Sequence, residues 1–313
     1  MGLPIPQLVL AESLNQKGKF IVIDGKQRLL SLQQFAGINL EDGIETLKLN
    51  GLEMLNGADY RSLCSDSRTN NYFAAFENQS IRTVVVRNWQ KEEVLFLIFH
   101  RLNTGSVPLS PQELRQALHP GPFLKFVAKY SESSEAVKKV LGLSRPDFRM
   151  RDVELLVRYF AFRNYISTYS GNLKQFLDDT CKDLNKEWIN GKERIEHQAE
   201  DFEAAVKTTF DIFGDNSFRK WDGRTYERRF NRAVFDIMTY YFSEEPVREK
   251  ASDARTTVKS AFEKLCRSNN DFLRSMETTT KSKEATATRF TLWGESLGRV
   301  LRMPIKTPLK SKK

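Results

Sequence analysis

Residues 20–32 read Phe20-Ile21-Val22-Ile23-Asp24-Gly25-Lys26-Gln27-Arg28-Leu29-Leu30-Ser31-Leu32, and this stretch decides the fold of the first part of the chain. Four apolar residues predict a buried strand, which breaks at Asp24-Gly25 and is followed by a helix. Gly25 allows a close backbone approach, the first helical turn attracts an anion, and Arg28 can hold that anion through two parallel hydrogen bonds. Asp24 would then hold a magnesium ion or a ribose hydroxyl. The same residues also fit a plain strand–turn–helix junction with Asp24 as the N-cap.

A second segment, residues 101–118, places a polar turn between two predicted helices. It reads Arg101-Leu102-Asn103-Thr104-Gly105-Ser106-Val107-Pro108-Leu109-Ser110-Pro111-Gln112-Glu113-Leu114-Arg115-Gln116-Ala117-Leu118. Ser110 and Glu113 predict a capping box, with Pro111 at the first helical position. The capping box therefore gives Glu113 a structural role. Arg115 is compatible either with an internal ion pair or with a ligand contact. His119 ends this helix, where a positive charge is favourable.

Together the two segments resemble the N-terminal domain of GmrSD-type restriction systems, a branch of the ParB/sulfiredoxin-like superfamily. That family carries a DGQQR motif after a strand and a later R-x-N-T-G-G-x-P-L-x-x-x-E-x-R-x-A motif. This chain reads DGKQR over 24–28 and RLNTGSVPLSPQELRQA over 101–117, so Lys26 and Ser106 are departures. The family usually has an earlier segment with a Gln-Arg pair and a tryptophan ahead of Leu3-Pro4-Ile5-Pro6. We expect either a misassigned start or a pocket without that segment.

The resemblance implies that both segments face one pocket, which binds a nucleoside triphosphate with Mg²⁺. Arg28 and Arg101 would neutralise phosphate charge, and Gln27 would position a water for attack. Asp24, Gln27 and Arg28 are therefore candidate catalytic residues, with Asp24 as the expected metal ligand. The candidate nucleotide-binding residues are Gly25, Lys26, Arg101, Asn103, Thr104 and Gly105.

The charge of the chain is concentrated at one end. The 313 residues carry a net charge of +9, and residues 294–313 contain six Lys or Arg against one acid, Glu295. Such a segment binds phosphate backbones or simply remains solvated. No apolar run approaches the length of a membrane span, and we expect a cytoplasmic protein without a membrane partner.

The predicted fold class is α+β, with a small mixed-sheet domain followed by an all-helical domain. The resemblance implies that the sheet domain is ParB/sulfiredoxin-like. We expect domains over 1–145 and 146–304, and a basic flexible tail over 305–313. Strands are predicted at Leu8–Leu10, Phe20–Ile23, Leu47–Leu49 and Thr83–Val86. Helices are predicted at 27–35, 92–102, 111–118, 122–131, 135–141, 151–168, 172–188, 191–213, 225–242 and 245–268. Residues 278–288 are poor in apolar side chains and predict a mobile loop.

Residues 218–232 interleave six basic side chains with four aromatic ones. This mixture is typical of a surface that follows a nucleic-acid backbone and stacks on bases. Helical spacing offers another interpretation, in which Tyr226, Phe230 and Val234 belong to one apolar stripe and the arginines face solvent. The candidate nucleic-acid-binding residues are Arg224, Arg228, Arg229 and Arg232.

The predicted function is nucleotide binding, with hydrolysis of the nucleotide left open, and the resemblance implies a setting in a prokaryotic DNA-defence system of the restriction type. The nucleotide state would control engagement of DNA or of a partner. A separate nuclease or operon partner would cut the DNA, because the chain contains no His-Asn-His nuclease motif. Two alternatives stay open, a non-enzymatic DNA- or protein-binding module with a degenerate pocket and a ParB-like DNA nuclease.

Overall fold

The computed structural model describes residues 5–14, 16–38, 46–91, 94–95, 98, 102, 110–278 and 280–309. The chain divides into two compact units, residues 1–109 and residues 110–313. The first unit contains a small sheet and the second is built from helices, so the α+β class is confirmed. Within the described residues, no helix combines the length and the apolar composition that a bilayer span requires.

The described residues of the first unit contain a three-stranded mixed sheet. Its strands are β1 (Leu8–Glu12), β2 (Phe20–Asp24) and β3 (Thr83–Val86), in the order β2-β1-β3. β1 pairs antiparallel with β2 and parallel with β3. Ser13 N donates to Lys19 O at 2.8 Å and closes the β1–β2 hairpin. These strands agree with the predicted ones.

The fully described helices of the same unit are α1 (Lys26–Ala36), α2 (Tyr60–Ser65) and α3 (Asn70–Glu77). The ring of Phe35 meets the rings of Tyr60 and Phe76 edge to face, with centroids 6.2 and 5.2 Å apart. Edge-to-face pairs add specific geometry to apolar burial. This aromatic cluster therefore fixes the three helices against one another.

The strand predicted at Leu47–Leu49 is wrong. Residues 46–50 have no regular secondary structure. Leu49 N donates to Ala58 O at 2.8 Å, and Leu49 O accepts from Gly57 N at 2.7 Å. The backbone groups of Leu49 thus close a local loop, while its side chain is half-buried as a strand side chain would be.

The second unit consists of helices, with one long helix at its centre. That helix, α8 (Leu173–Phe213), packs against most of the others. The remaining helices are α4 (Pro111–Leu118), α5 (Pro122–Ser133), α6 (Glu135–Leu141), α7 (Arg151–Tyr165), α9 (Arg232–Phe242), α10 (Glu245–Asp253), α11 (Arg255–Ser268), α12 (Asn270–Ser275) and α13 (Lys283–Leu301). Helices α5 and α6 pack on α7 and α8. The compact units therefore divide before α4, whereas the sequence analysis placed a domain boundary after residue 145.

Several helix boundaries differ from the predicted ones. α8 is continuous through Gly191, because a glycine within a helix weakens it by only about 1 kcal/mol. The region 245–268 forms two helices, which separate at Ala254. The predicted mobile loop is helical from Lys283 onward, because Ser282 accepts a hydrogen bond from Ala285 N at 3.0 Å and caps α13.

The predicted flexible tail is packed as far as the structure describes it. Ile305 and Leu309 lie against the hydrophobic core, and Thr291 Oγ1 donates to Leu309 O at 2.7 Å. Two apolar side chains among the basic residues hold this segment on α13. Residues 310–313 lie outside the described residues.

A buried ion-pair triad joins three helices of the second unit. Arg158 on α7 donates from Nε and Nη2 to the two carboxylate oxygens of Asp236 on α9, at 2.5 and 2.6 Å. Arg289 on α13 approaches the same carboxylate at 3.4 Å. Burial lowers the pKa of Arg289 to about 10, although Asp236 opposes this effect. All three side chains are almost fully buried, so the carboxylate is the counter-charge for two guanidinium groups.

His119, the C-cap of α4, is buried and uncharged. Asn185 Nδ2 donates to the His119 carbonyl oxygen at 3.0 Å, and the residue is only 6% exposed. Burial, together with the positive charge of Lys182, lowers the pKa of the His119 imidazole from 6.5 to about 4. The expected role as a charged residue at a helix end is therefore wrong at neutral pH.

We expect Asp236→Asn to lower the free energy of unfolding by about 3–5 kcal/mol, because it leaves two buried guanidinium groups without a counter-charge. Urea unfolding followed by tryptophan fluorescence measures this, since Trp188, Trp221 and Trp293 lie in this unit. Glu244→Gln is the control, because it removes the pair with Arg163 at a carboxylate that is 48% exposed. Its effect should not exceed about 1 kcal/mol. Equal losses in the two variants would contradict the role of the triad.

We expect His119 to make the second unit less stable in acid. Between pH 6.5 and about 4, the unfolded chain binds a proton at this imidazole that the folded chain does not. Stability should therefore fall as the pH decreases, by up to about 3 kcal/mol for this residue. The difference in unfolding free energy between wild type and His119→Asn should shrink by this amount from pH 7 to pH 4. A difference that does not change with pH would contradict the prediction.

Candidate functional site

The turn between β2 and α1 depends on Gly25. This residue is buried, has a φ of 96° and forms the N-cap of α1 without any side-chain cap. A Cβ at this position would lie 2.2 Å from Cδ2 of Leu8. The interpretation of Asp24 as the N-cap is therefore wrong, and the close approach at Gly25 is made by β1. The N-cap residue therefore makes no side-chain hydrogen bond to the first turn of α1.

Arg28 holds this turn against the segment that precedes β1. Its Nη1 donates to Pro6 O and Gln7 O, both at 2.7 Å, and its Nη2 donates to Asp24 Oδ2 at 2.5 Å. A guanidinium has five N–H donors. Two of them have no partner among the described residues, and the side chain is 29% exposed. Arg28 is thus fixed by internal contacts and retains donors for a ligand.

An apolar cavity of about 680 Å³ lies beside the same turn. Gln27, Arg28 and Ser31 provide polar groups in its wall. The apolar wall includes Leu32, Phe35, Leu47, Leu63, Tyr72 and Phe76. Pockets for small molecules are commonly of this size and combine an apolar wall with a few polar groups.

Sequence reasoning missed the aromatic wall of this cavity. Tyr72 and Phe76 are one helical turn apart on α3, and this i, i+4 spacing was the available signal. No spacing along the chain relates them to Arg28, which lies on another helix. The tertiary fold alone brings the DGKQR residues and these rings to one cavity.

Arg101 and the Asn-Thr-Gly loop residues Asn103, Thr104 and Gly105 lie outside the described residues. The helix after the loop is described. Ser110 Oγ accepts from Glu113 N at 3.0 Å and Glu113 Oε2 accepts from Ser110 N at 2.7 Å, which confirms the capping box.

Arg115 forms an internal ion pair. Its Nε donates to Asp178 Oδ1 at 2.7 Å, and both side chains are buried. Of the two interpretations open for Arg115, the structure therefore favours the internal one. Gln112 accepts a second hydrogen bond from Arg115 Nη1 at 2.5 Å, which the sequence did not indicate.

The comparison with protein families matches residues 1–120 to the N-terminal domain of the GmrSD restriction endonuclease. Residues 1–120 form a GmrSD-type N-terminal domain. No curated protein and no solved structure matches the chain. The GmrSD-type domain contains the whole first compact unit together with α4, so the family boundary lies beyond the structural one.

Asp24 offers a carboxylate beside the turn in the GmrSD-type domain. One of its oxygens accepts from Arg28, and the side chain is 25% exposed. Among the described residues, no group of three His, Cys, Asp or Glu is arranged to hold a metal ion. Mg²⁺ is commonly bound through one or two carboxylates together with substrate phosphates. A Mg²⁺ ion beside Asp24 would therefore need further oxygen ligands, such as those of a bound triphosphate.

The predicted nucleic-acid-binding arginines lie outside the GmrSD-type domain, in the second unit. Arg224, Arg228 and Arg229 belong to the loop before α9, and Arg232 is the first residue of that helix. All four are exposed. The helix predicted over 225–242 begins only at Arg232, because Asn231 Oδ1 accepts from Ala233 N and Val234 N. The apolar stripe proposed to run from Tyr226 along one helix is therefore wrong.

We expect Gly25→Ala to destabilise the GmrSD-type domain by about 3 kcal/mol. The positive φ accounts for about 1–2 kcal/mol and the contact with Leu8 for the rest. Hydrogen exchange at the amides of β1 and β2 measures the loss. Gly18→Ala is the matched control, because Gly18 has a φ of 82° and nothing within 4 Å of its Cβ position. Equal losses at the two glycines would show that packing at Leu8 is unimportant.

Proposed function

We propose that the GmrSD-type domain binds a nucleoside triphosphate, as its magnesium complex, in the cavity beside the Asp24–Arg28 turn. One observation carries this proposal: Gln27 and Arg28 of the DGKQR segment line an apolar cavity of about 680 Å³. The residues that resemble a family motif thus lie in the wall of a pocket of suitable size. The family match supports a setting in a restriction system.

The polar part of the cavity wall suits the triphosphate. The first turn of α1 lacks a side-chain cap, and the positive end of a helix dipole favours an anion. Arg28 adds a cation whose position is already fixed by Asp24 and two carbonyl groups. A prearranged group loses little conformational freedom when a ligand binds.

The apolar wall suits the base and the ribose. Phe35, Tyr72 and Phe76 contribute aromatic rings to this wall. Aromatic side chains provide a large contact area for another planar ring. Asp24 would hold the metal through the oxygen that does not accept from Arg28.

The same geometry suits hydrolysis. Gln27 is exposed and has no side-chain hydrogen bond to another described residue, so its amide is available to orient a water at the terminal phosphate. Gly25 and Lys26 belong to the same turn. The family resemblance adds Arg101, Asn103, Thr104 and Gly105 to the proposed nucleotide-binding residues. The nucleotide state would control engagement of DNA or of a separate nuclease partner.

A second candidate function is a non-enzymatic binding module, and the contacts of Arg28 favour it. Three of its donors join α1 to Pro6, Gln7 and Asp24, which gives the DGKQR segment a structural role without any ligand. The cavity would then receive an apolar segment of a protein partner. A measurement of nucleotide binding distinguishes the two functions, because only the first requires the cavity to bind a nucleotide.

We expect Mg-GTP or Mg-ATP to raise the melting temperature of the full chain. A ligand at about 100 times its Kd stabilises the native state by about 2.7 kcal/mol. Ala75→Trp should abolish the effect, because Ala75 lines the cavity and the larger ring fills it. Ala74→Trp is the matched control, since Ala74 is a neighbouring exposed alanine of α3 that does not line the cavity.

A second pair of variants tests the polar part of the cavity wall, where the triphosphate would bind. Gln27→Glu places a negative charge beside the proposed phosphates and should weaken binding, whereas Gln16→Glu makes the same change in the β1–β2 turn and should not. Arg28→Ala is a poor test, because it also removes the contacts with Pro6 and Gln7. Absence of a shift with both nucleotides would overturn nucleotide binding and leave the binding module.

A further inference from the structure

Residues 218–231 form a hairpin that precedes α9, which we name the arginine hairpin. Trp221 and Tyr226 form an antiparallel bridge, and Asp222 N donates to Thr225 O at 3.0 Å across the tip. Glu227 N donates to Lys220 O at 2.9 Å, and Asn231 N donates to Phe218 O at 2.8 Å. These hydrogen bonds define the two arms of the hairpin.

The second arm of the arginine hairpin bulges outward. Between the last two hydrogen bonds, the first arm contains one residue, Arg219, and the second arm contains three, residues 228–230. Extra residues on one arm must leave the plane of pairing. Phe230 turns inward and meets the rings of Phe218 and Phe235, with centroids 6.2 and 5.8 Å apart. Arg228 and Arg229 are left exposed on the outside of the bulge.

The arginine hairpin is held firmly on the helical unit. Lys220 is buried and pairs with Glu227 at 2.7 Å and with Glu277 at 2.5 Å. Burial lowers the pKa of Lys220, but the two carboxylates outweigh this effect and raise it, so the anchor stays charged. The Trp221 and Tyr226 rings pack edge to face at 4.9 Å, and Tyr226 donates to Glu263 at 3.0 Å.

The two acidic side chains of residues 218–232 make ion pairs or hydrogen bonds within this region, whereas its exposed arginine side chains do not. Residues 218–232 contain six basic and two acidic residues. Glu227 pairs with Lys220, and Asp222 accepts from the backbone N–H groups of Arg224 and Thr225 at 2.8 Å. In the described part of the chain, none of the exposed side chains of Arg224, Arg228, Arg229 and Arg232 makes an ion pair or a hydrogen bond. A rigid support therefore presents cations that form no ion pair with any described residue.

We propose that the arginine hairpin contacts the sugar–phosphate backbone of duplex DNA through Arg228 and Arg229, with Arg224 and Arg232 beside them. Phosphate contacts require exposed cations and no base-reading geometry. The neighbouring aromatic rings pack on one another and on the core, so they do not form an open platform for stacking single-stranded bases. This site lies in the second unit and does not depend on the proposed nucleotide cavity.

Binding of the full chain to a duplex of mixed sequence, measured by fluorescence anisotropy at several salt concentrations without nucleotide, tests the proposal. Removing two phosphate contacts should lower the slope of log K against log salt by about 2. Arg228→Ala/Arg229→Ala should therefore show this reduced slope, together with an affinity about tenfold lower at low salt. Arg228→Lys/Arg229→Lys should keep most of the slope, because it retains both charges.

The control is Lys125→Ala/Lys129→Ala, which removes the same charge from two exposed residues of α5. The proposal is supported if this control keeps the wild-type slope of log K against log salt while the double variant of Arg228 and Arg229 loses about 2 from it. Equal losses of slope and affinity in the two double variants would show that binding depends on net charge alone, and would contradict a specific site at the arginine hairpin. Failure of the wild type to bind the duplex would also overturn it, as would tighter binding of a poly-glutamate peptide that depends on the same arginines.

Discussion

The three hydrogen bonds that Arg28 donates to Asp24, Pro6 and Gln7 set the geometry of the first unit. They join the start of α1 to the segment that enters β1, while Gly25 allows Leu8 to approach the turn. A guanidinium is suited to this position because it is always charged and offers five donors in a rigid plane. The same contacts place Arg28 in the wall of the apolar cavity. A structural arginine and a ligand-binding arginine are therefore compatible in one residue.

The second unit has an equivalent centre in the pair of Arg158 with Asp236. A buried carboxylate shared by two guanidinium groups fixes the relative positions of α7, α9 and α13. α9 begins at the cap made by Asn231, directly after the arginine hairpin, and Asn231 also donates to Met276 O at 3.0 Å. Two polar residues of one short segment, Asn231 and Asp236, thus hold both the helix and the hairpin in place. The polar Asn231 before α9 and the polar Asp236 within α9 therefore both have a structural role.

The predictions that held rest on local interactions. The capping box of Ser110 and Glu113 involves residues three apart, and the strands at Leu8–Glu12, Phe20–Asp24 and Thr83–Val86 follow from short apolar runs. Two of the predictions that failed depended on distant partners. Residues 225–231 have helical spacing, yet they form a hairpin because Lys220 is anchored to Glu277 and Phe230 packs on Phe218. Ile305 and Leu309 lie in a basic segment, yet they are held against the core.

Patterns along the chain were sufficient to predict the α+β class, the Asp-Gly turn after β2, the family of residues 1–120 and the basic character of residues 218–232. These features are carried by residues within a few positions of one another, where spacing and chemistry suffice. Only the tertiary structure decided that Arg28 contacts Pro6 and Gln7, that Phe35, Tyr72 and Phe76 share a cavity with it, and that Arg115 pairs with Asp178. The local sequence around a charged residue does not distinguish a side chain that faces a ligand from one that faces solvent or a buried carboxylate. Its partner is fixed by how the helices and strands pack, which no local pattern along the chain records.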